Sequence, residues 1–171
     1  MSIRVSIGIE QFEPLRDALS LPEQVVFAYA THDDGRLEVN ALEEMTGRDI
    51  ASQSLRHVVL ADDVRPRVIK TAWDRNECLI EAHSHGPRGH AEFSPSDLLG
   101  FEEWVPHVTW RLRGRPYAAL VVAGDKWDAL VWIDRAPVAP AAIEITDGGR
   151  VIDALRITGA TATRLATRGD T

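Results

Sequence analysis

Ile3, Val5, Ile7 and Ile9 alternate with polar or small residues, the period of a half-buried first strand. Phe12, Leu15, Leu19 and Leu21 then recur near helical spacing, which predicts a helix closed by Pro22. VVFAYA at 25–30 reads as a buried strand, THDDGR sets Asp34-Gly35 at the centre of a hairpin turn, and RLEVNAL returns as the second strand. A strand over SLRHVVLA (54–61) follows, and then a helix between Asp63 and Glu77 with apolar Val64, Val68, Ile69 and Ala72. Pro66 is tolerated in that helix's first turn. CLIEAHSH (78–85) is the next strand and SPSDLLGFEEWVPHV starts the next helix. PYAALVVA and WDALVWID pair across GDK, and AAIEI leads into GGRVIDALRI as a last pair. Strands outnumber helices and arrive both in hairpins and after crossovers, so the class is α/β with a mixed sheet flanked by helices. The organisation expected is one domain over 1–158 and a small, polar, frayed tail over 159–171.

Size and composition narrow this picture. A chain of 171 residues suits one core, whereas a (β/α)8 barrel needs roughly 250. With 44% apolar residues and no apolar run near the about 20 that span a bilayer, a soluble protein is expected. The alternating N-terminus lacks the apolar block of a signal peptide, so the expected location is the cytoplasm. Cys78 is the single cysteine and has no partner for an intramolecular disulfide. A net charge of −7 disfavours nucleic acid, whose phosphates attract clustered cations. Of 19 basic residues only Lys70 and Lys126 are lysine, a bias read as the codon usage of a GC-rich bacterial genome.

The chemistry is concentrated in EAHSHGPRGHAEFSPSD, residues 81–97. Alternate residues of a strand share a face, so His83 and His85 project together while Ser84 points away. The pair sits at a C-terminal strand end, where α/β sheets gather functional groups. In SPSD, Ser94 suits a helix N-cap, Pro95 the first helical position and Asp97 the third. Asp97 could also turn its carboxylate to an ion held by the two imidazoles. Two nitrogens and one oxygen make a three-ligand site, and catalytic zinc keeps its fourth position for water. The bland alternative is a polar turn ahead of a capped helix. His90, in the loop, reads as a solvated turn residue.

The stretch HSHGPRGHAEFSPSD resembles the JAMM signature of MPN-domain (JAB/Mov34) metallopeptidases: His-x-His, a loop, then Ser-x-x-Asp, with a catalytic Glu upstream. The resemblance covers about residues 3–135 through the order of elements. It implies an MPN fold related to the deaminase-like α/β sandwich, one zinc ion held by His83, His85 and Asp97, and Ser94 near the oxyanion. It also implies cleavage of isopeptide or peptide bonds at the C-terminus of a ubiquitin-like protein. Glu23 in LPEQVVFAYA matches the family's Glu and would act as general base; Glu10 and Glu13 are the fallback positions. One departure is that Gly86 precedes Pro87, which lengthens the gap from His85 to Ser94 by one residue and makes Glu92 a substitute ligand for Asp97. Another is FAYA in place of a Gly-rich strand end. Bacterial members resemble partners of activating and conjugating enzymes in conjugation operons, including antiphage ones. Peptidases that process sulfur-carrier proteins and MPN scaffolds without metal are the alternatives within the fold. A cupin-like barrel is disfavoured, because the Glu it expects three or four residues beyond the His pair is missing.

Two further patterns stand outside this motif. Trp104, Trp110, Trp127 and Trp132 invite a binding groove, but the last two lie in strand patterns and read as core. Arg111, Arg113 and Arg115 alternate in WRLRGRP, as three guanidinium groups on one strand face would. No phosphate loop or dinucleotide fingerprint is present, so no organic cofactor is expected.

Overall fold

The computed structural model describes residues 2–54, 57–86, 89–134 and 136–168. Leu55 and Arg56 of the strand expected over 54–61, Pro87 of the loop and the 169–171 end of the tail lie outside them. The elements in chain order are β1 (Arg4–Gly8), α1 (Ile9–Ala18), β2 (Val25–Asp33), β3 (Arg36–Glu44) and a 3-10 turn (Gly47–Asp49). They continue as β4 (Ile50–Gln53), β5 (Val58–Leu60), α2 (Val64–Arg75), β6 (Cys78–Ser84), α3 (Pro95–Arg111) and β7 (Tyr117–Ala123). β8 (Lys126–Trp132), β9 (Pro137–Val138), β10 (Ile143–Asp147), β11 (Arg150–Leu155) and α4 (Ala160–Arg168) complete the chain. No helix among the described residues is long and apolar enough to cross a membrane.

Nine strands form one mixed sheet in the order β11-β10-β1-β3-β2-β6-β7-β8-β9, and β4 with β5 makes a separate antiparallel hairpin. The mixed character expected from hairpins and crossovers is present. β1 runs parallel to both β10 and β3, and β6 runs parallel to β7 after a crossover through α3. The sheet is curled. Ile157, just past β11 at one edge, bridges in parallel to Trp127 of β8 near the other, and the Thr158 N–H donates to the Trp127 carbonyl at 2.8 Å.

Strand alternation divides the core into two faces. Val26, Ala28, Ala30, Ile80, Leu120 and Val131 pack with Phe12 and Leu15 of α1. Phe27, Leu79, Val121 and Leu130 face the other way, against Val68 of α2 and Val105 of α3. On that second face, β6 continues past Leu79 with Glu81 and His83, so a run of core positions turns polar where it emerges at the sheet end. Trp127 and Trp132 are buried, as the strand pattern required.

Three expectations need correction. The strand over 54–61 is cut to the three residues of β5 and pairs with β4, which the apolar pattern missed because IASQ has one large apolar residue. The arginines of WRLRGRP share no strand face: α3 runs on to Arg111, and Arg113 turns the chain with φ of 54°. The guanidinium carbons of Arg113 and Arg115 lie 5.0 and 5.5 Å from the Trp73 ring centroid, while Arg111 lies 5.6 Å from that of Trp110. The tail is no frayed coil over its described part, since Ala160–Arg168 is helix and Thr161 is fully buried.

Candidate metal centre

Topology explains why residues remote in sequence meet. β2 is antiparallel to β6 with Val25 opposite His83, so the residues entering β2 lie beside the residues leaving β6. The crossover from β6 to β7 then brings the start of α3 over the same strand end. His85 lies one residue beyond β6, yet its N–H donates to the Val122 carbonyl of β7 at 2.9 Å. It therefore keeps strand direction, and both imidazoles share a face.

The three expected ligands converge. His83 Nε2 and His85 Nε2 are 3.1 Å apart, and Asp97 Oδ2 lies 3.6 Å from the first and 3.5 Å from the second. A tetrahedral ion with bonds of about 2.0–2.2 Å has ligand–ligand edges of about 3.3–3.6 Å. The two Asp97 separations fall in that range and the His83–His85 separation is about 0.2 Å short of it, so the donor set suits one small ion of this kind in chemistry and needs only a slight parting of the imidazoles in spacing; a His-His-Asp group of this geometry can hold a metal. The His90 carbonyl lies 3.0 Å from His85 Nδ1. A proton held at Nδ1 by that carbonyl leaves Nε2 with its lone pair toward the ion position.

Asp97 is held by its own helix start. Ser94 Oγ accepts the Asp97 N–H at 3.1 Å, while Asp97 Oδ2 accepts the Ser94 N–H at 2.7 Å and the Ser94 hydroxyl at 2.8 Å. This capping box, typically worth about 1 kcal/mol to a helix, aims the carboxylate. Burial works against the Asp97 charge, but hydrogen bonds with His83, His85 and Ser94 hold its pKa well below the usual carboxylate range. The hydrogen bond with Asp97 in turn raises the pKa of His85, against the opposing effect of burial. The lengthened loop does not separate Asp97 from the histidines. The Gly89 N–H closes a turn on the Gly86 carbonyl at 2.7 Å, which takes up length between His85 and Ser94. Glu92 is turned elsewhere and pairs with Arg164 at 3.6 Å. His90 is exposed, as expected of a turn residue.

Glu23 lines the same cleft, whose volume is about 1040 Å³. It is buried at 8% exposure and adopts φ of 54°, a left-handed conformation that costs a residue with a Cβ about 1–2 kcal/mol. The conformation is enforced from β6: the Glu23 N–H donates to the Ser84 carbonyl at 3.0 Å and the Gln24 N–H to Ser84 Oγ at 3.0 Å. Burial raises the Glu23 pKa, with His85 and His83 partly offsetting it. Glu10 and Glu13 are exposed on α1, whose apolar residues pack on the opposite sheet face, and neither lines the cleft.

Several contributors lie outside the motif, and of the four tryptophans that invite a binding groove Trp104 lines this cleft. Ser84 points away from the ion position, as strand alternation requires, and that direction lets it anchor the turn carrying Glu23. Glu81 is on the same strand face as His83 and accepts the Tyr117 hydroxyl at 2.9 Å, while Trp104 Nε1 donates to that hydroxyl at 3.0 Å. Arg65 stacks on Trp104, 4.2 Å from its ring centroid. Glu81, Arg65 and Trp104 all line the cleft. The Glu81 signal was legible in principle, as the next residue on the His83–His85 face.

No protein-family model matches this sequence, and no curated protein matches it. The structure is similar to that of a protein from Desulfitobacterium hafniense solved in solution, with 14% identity and a TM-score of 0.50 over 86% of this chain and 95% of that one. A protein from Salinibacter ruber, also solved in solution, is 22% identical with a TM-score of 0.42 over 73% of this chain and 80% of that one. The first likeness is one of mixed α/β fold and carries no chemistry with it.

Proposed function

We propose that the chain is a zinc metallopeptidase of JAMM type and MPN fold that hydrolyses an isopeptide or peptide bond at the C-terminus of a ubiquitin-like protein. The observation that supports this most is the convergence of His83, His85 and Asp97 within 3.6 Å of one another on a cleft that Glu23 and Ser94 also line. His83, His85 and Asp97 hold the ion in this reading. Bound zinc polarises a carbonyl and lowers the pKa of water toward 7.

The chain's own residues supply the rest. Glu23 takes a proton from the attacking water and delivers it to the departing amine, and its burial-raised pKa moves it toward the neutral range suited to both transfers. The Ser94 hydroxyl now donates to Asp97; turned toward the cleft, it donates to the oxyanion instead. Val58, Val59 and Leu60 bring a short β-hairpin to the cleft wall, where an extended substrate tail gains backbone hydrogen bonds. The partners in this reading are a ubiquitin-like protein or its conjugates, with activating or conjugating enzymes of the same operon, in the cytoplasm of a bacterium.

The test combines metal analysis of purified protein with cleavage of a ubiquitin-like fusion. One zinc per chain is expected in the wild type and in Glu23→Gln, with little or none in His83→Ala. Glu23→Gln should lower the cleavage rate by about 10²–10⁴-fold. Stoichiometric zinc in His83→Ala removes the ligand assignment, and wild-type cleavage by Glu23→Gln places the base elsewhere. A wild type that binds no zinc and cleaves nothing favours an MPN scaffold.

A further inference from the structure

The C-terminal helix α4 touches the chain immediately before the capping box, at a buried joint that the proposed chemistry does not use. Asp128 of β8 is fully buried, and its two carboxylate oxygens accept the N–H groups of Gly159 at 3.1 Å and Thr161 at 3.0 Å. Both donors belong to the start of α4, where backbone N–H groups lack helical partners and a carboxylate is favourable. Thr161 is thereby fixed, also fully buried, and its Oγ1 accepts the Phe93 N–H at 2.9 Å. Arg164, one turn further on, donates to the Phe93 carbonyl, and the Thr158 hydroxyl donates to the Ala91 carbonyl at 2.8 Å. Phe93 has both backbone polar groups tied to α4.

Phe93 is also the hinge between the histidines and the aspartate. Its ring is fully buried, with its centroid 5.6 Å from that of His83 and 5.2 Å from that of Phe101 in α3. The next residue is Ser94, whose N–H and hydroxyl aim Asp97 Oδ2. A displacement of Phe93 therefore moves a wall of one ligand and the anchor of another together.

We propose that Thr161, set in place by Asp128, is a positioning residue for the metal centre, so that residues 159–168 belong to the site's framework. The inference rests on the reading of His83, His85 and Asp97 as ligands. Partners outside a ligand set that fix its orientation typically carry 10–100-fold in metal affinity.

The full chain is loaded with zinc against a chromophoric chelator, and separately with cobalt, whose visible spectrum reports the symmetry of its ligands. Thr161→Val keeps the volume and removes the acceptor; it should lower zinc affinity about tenfold and alter the cobalt spectrum. Thr161→Ser restores the acceptor and should bring both back toward wild type. Equal zinc affinity and equal cobalt spectra in wild type and Thr161→Val overturn the proposal while leaving the ligand assignment intact, as does a Thr161→Ser protein no better than Thr161→Val. A wild type that binds neither metal overturns the ligand assignment and this proposal with it. Should Thr161→Val lack a cooperative melt, Arg164→Gln decides instead, because Arg164 is partly exposed and its guanidinium donates to the Phe93 carbonyl; a loss of affinity is expected, and no change overturns the proposal.

Discussion

At the scale of single residues, two backbone positions carry the tension between folding and the site. Glu23 pays for its left-handed φ of 54° with conformational strain that a glycine would not feel. Both Glu23→Ala and Glu23→Gly remove the carboxylate, so a difference between them isolates the backbone. Glu23→Gly should be more stable than Glu23→Ala by about 1 kcal/mol in urea titration; equal midpoints would mean that the turn relaxes once the side chain is gone. Gly89 shows the opposite case, where a Cβ has no room. It would stand 2.7 Å from the His85 Cβ and 3.0 Å from the Gly86 carbonyl oxygen. Gly89→Ala is therefore expected to displace His85 and weaken zinc binding while the melting temperature changes little, since the loop is at the surface. Unchanged zinc affinity in Gly89→Ala would show that the loop yields instead of the imidazole.

At the scale of elements, the hairpin beside the cleft is tethered by charge. Arg67 of α2 reaches Asp49 at 2.9 Å, Glu43 at 3.3 Å and Asp63 at 3.3 Å, joining the helix to the end of β3 and to the turn before β4. The Thr46 N–H, then the Arg67 guanidinium, hold the Asp49 pKa below its ordinary value despite burial. A group with a lowered folded pKa stabilises the protein above its unfolded value of about 4 and loses that contribution as pH falls through the folded value. Wild type should thus lose stability below about pH 4, and Asp49→Asn should lose less of it over that interval. Parallel slopes of the two proteins in acid would remove Asp49 from the account. This tether also marks how far the sequence was legible. The alternation of Ile3 to Ile9, the Asp34-Gly35 turn and the apolar spacing of 64–72 are local signals, and the elements they predict formed. His83, His85 and Asp97 were legible for the same reason, because strand alternation and a capping box are local rules. What was not legible depends on remote partners: β4 exists through pairing with β5, and α4 is ordered by Asp128 and Phe93, neither of which leaves a mark in the polar sequence of the tail. The direction of Ser84, away from the histidines, was legible from strand alternation, but its anchoring role was not, since its partner Gln24 lies 60 residues earlier.

At the scale of the whole molecule, the curled sheet makes the first and last segments of the chain part of one cooperative unit. β1 is flanked by β10 and β3, and the chain leaving β11 closes onto β8, so β1 and the segment after β11 are both tied into the sheet. Cys78 sits at the start of β6, in the central strands of that sheet, at 2% exposure. Burial pushes its thiol pKa up to about 11, so at pH 8 the reactive thiolate is scarce even before access is considered. Arg115 lowers the pKa only in part, as burial is the larger effect. Reaction with an aromatic disulfide reagent at pH 8 should then proceed only through opening of the sheet. Its rate in native buffer is expected to extrapolate along the denaturant dependence of global unfolding measured by circular dichroism. A rate insensitive to denaturant below the transition would show instead that β6 opens locally at its Cys78 end. The same reaction run on Thr161→Val separates the two layers of the fold. If the brace from α4 acts on the loop at 91–97 rather than on the sheet, the variant's Cys78 should stay protected while its zinc affinity falls.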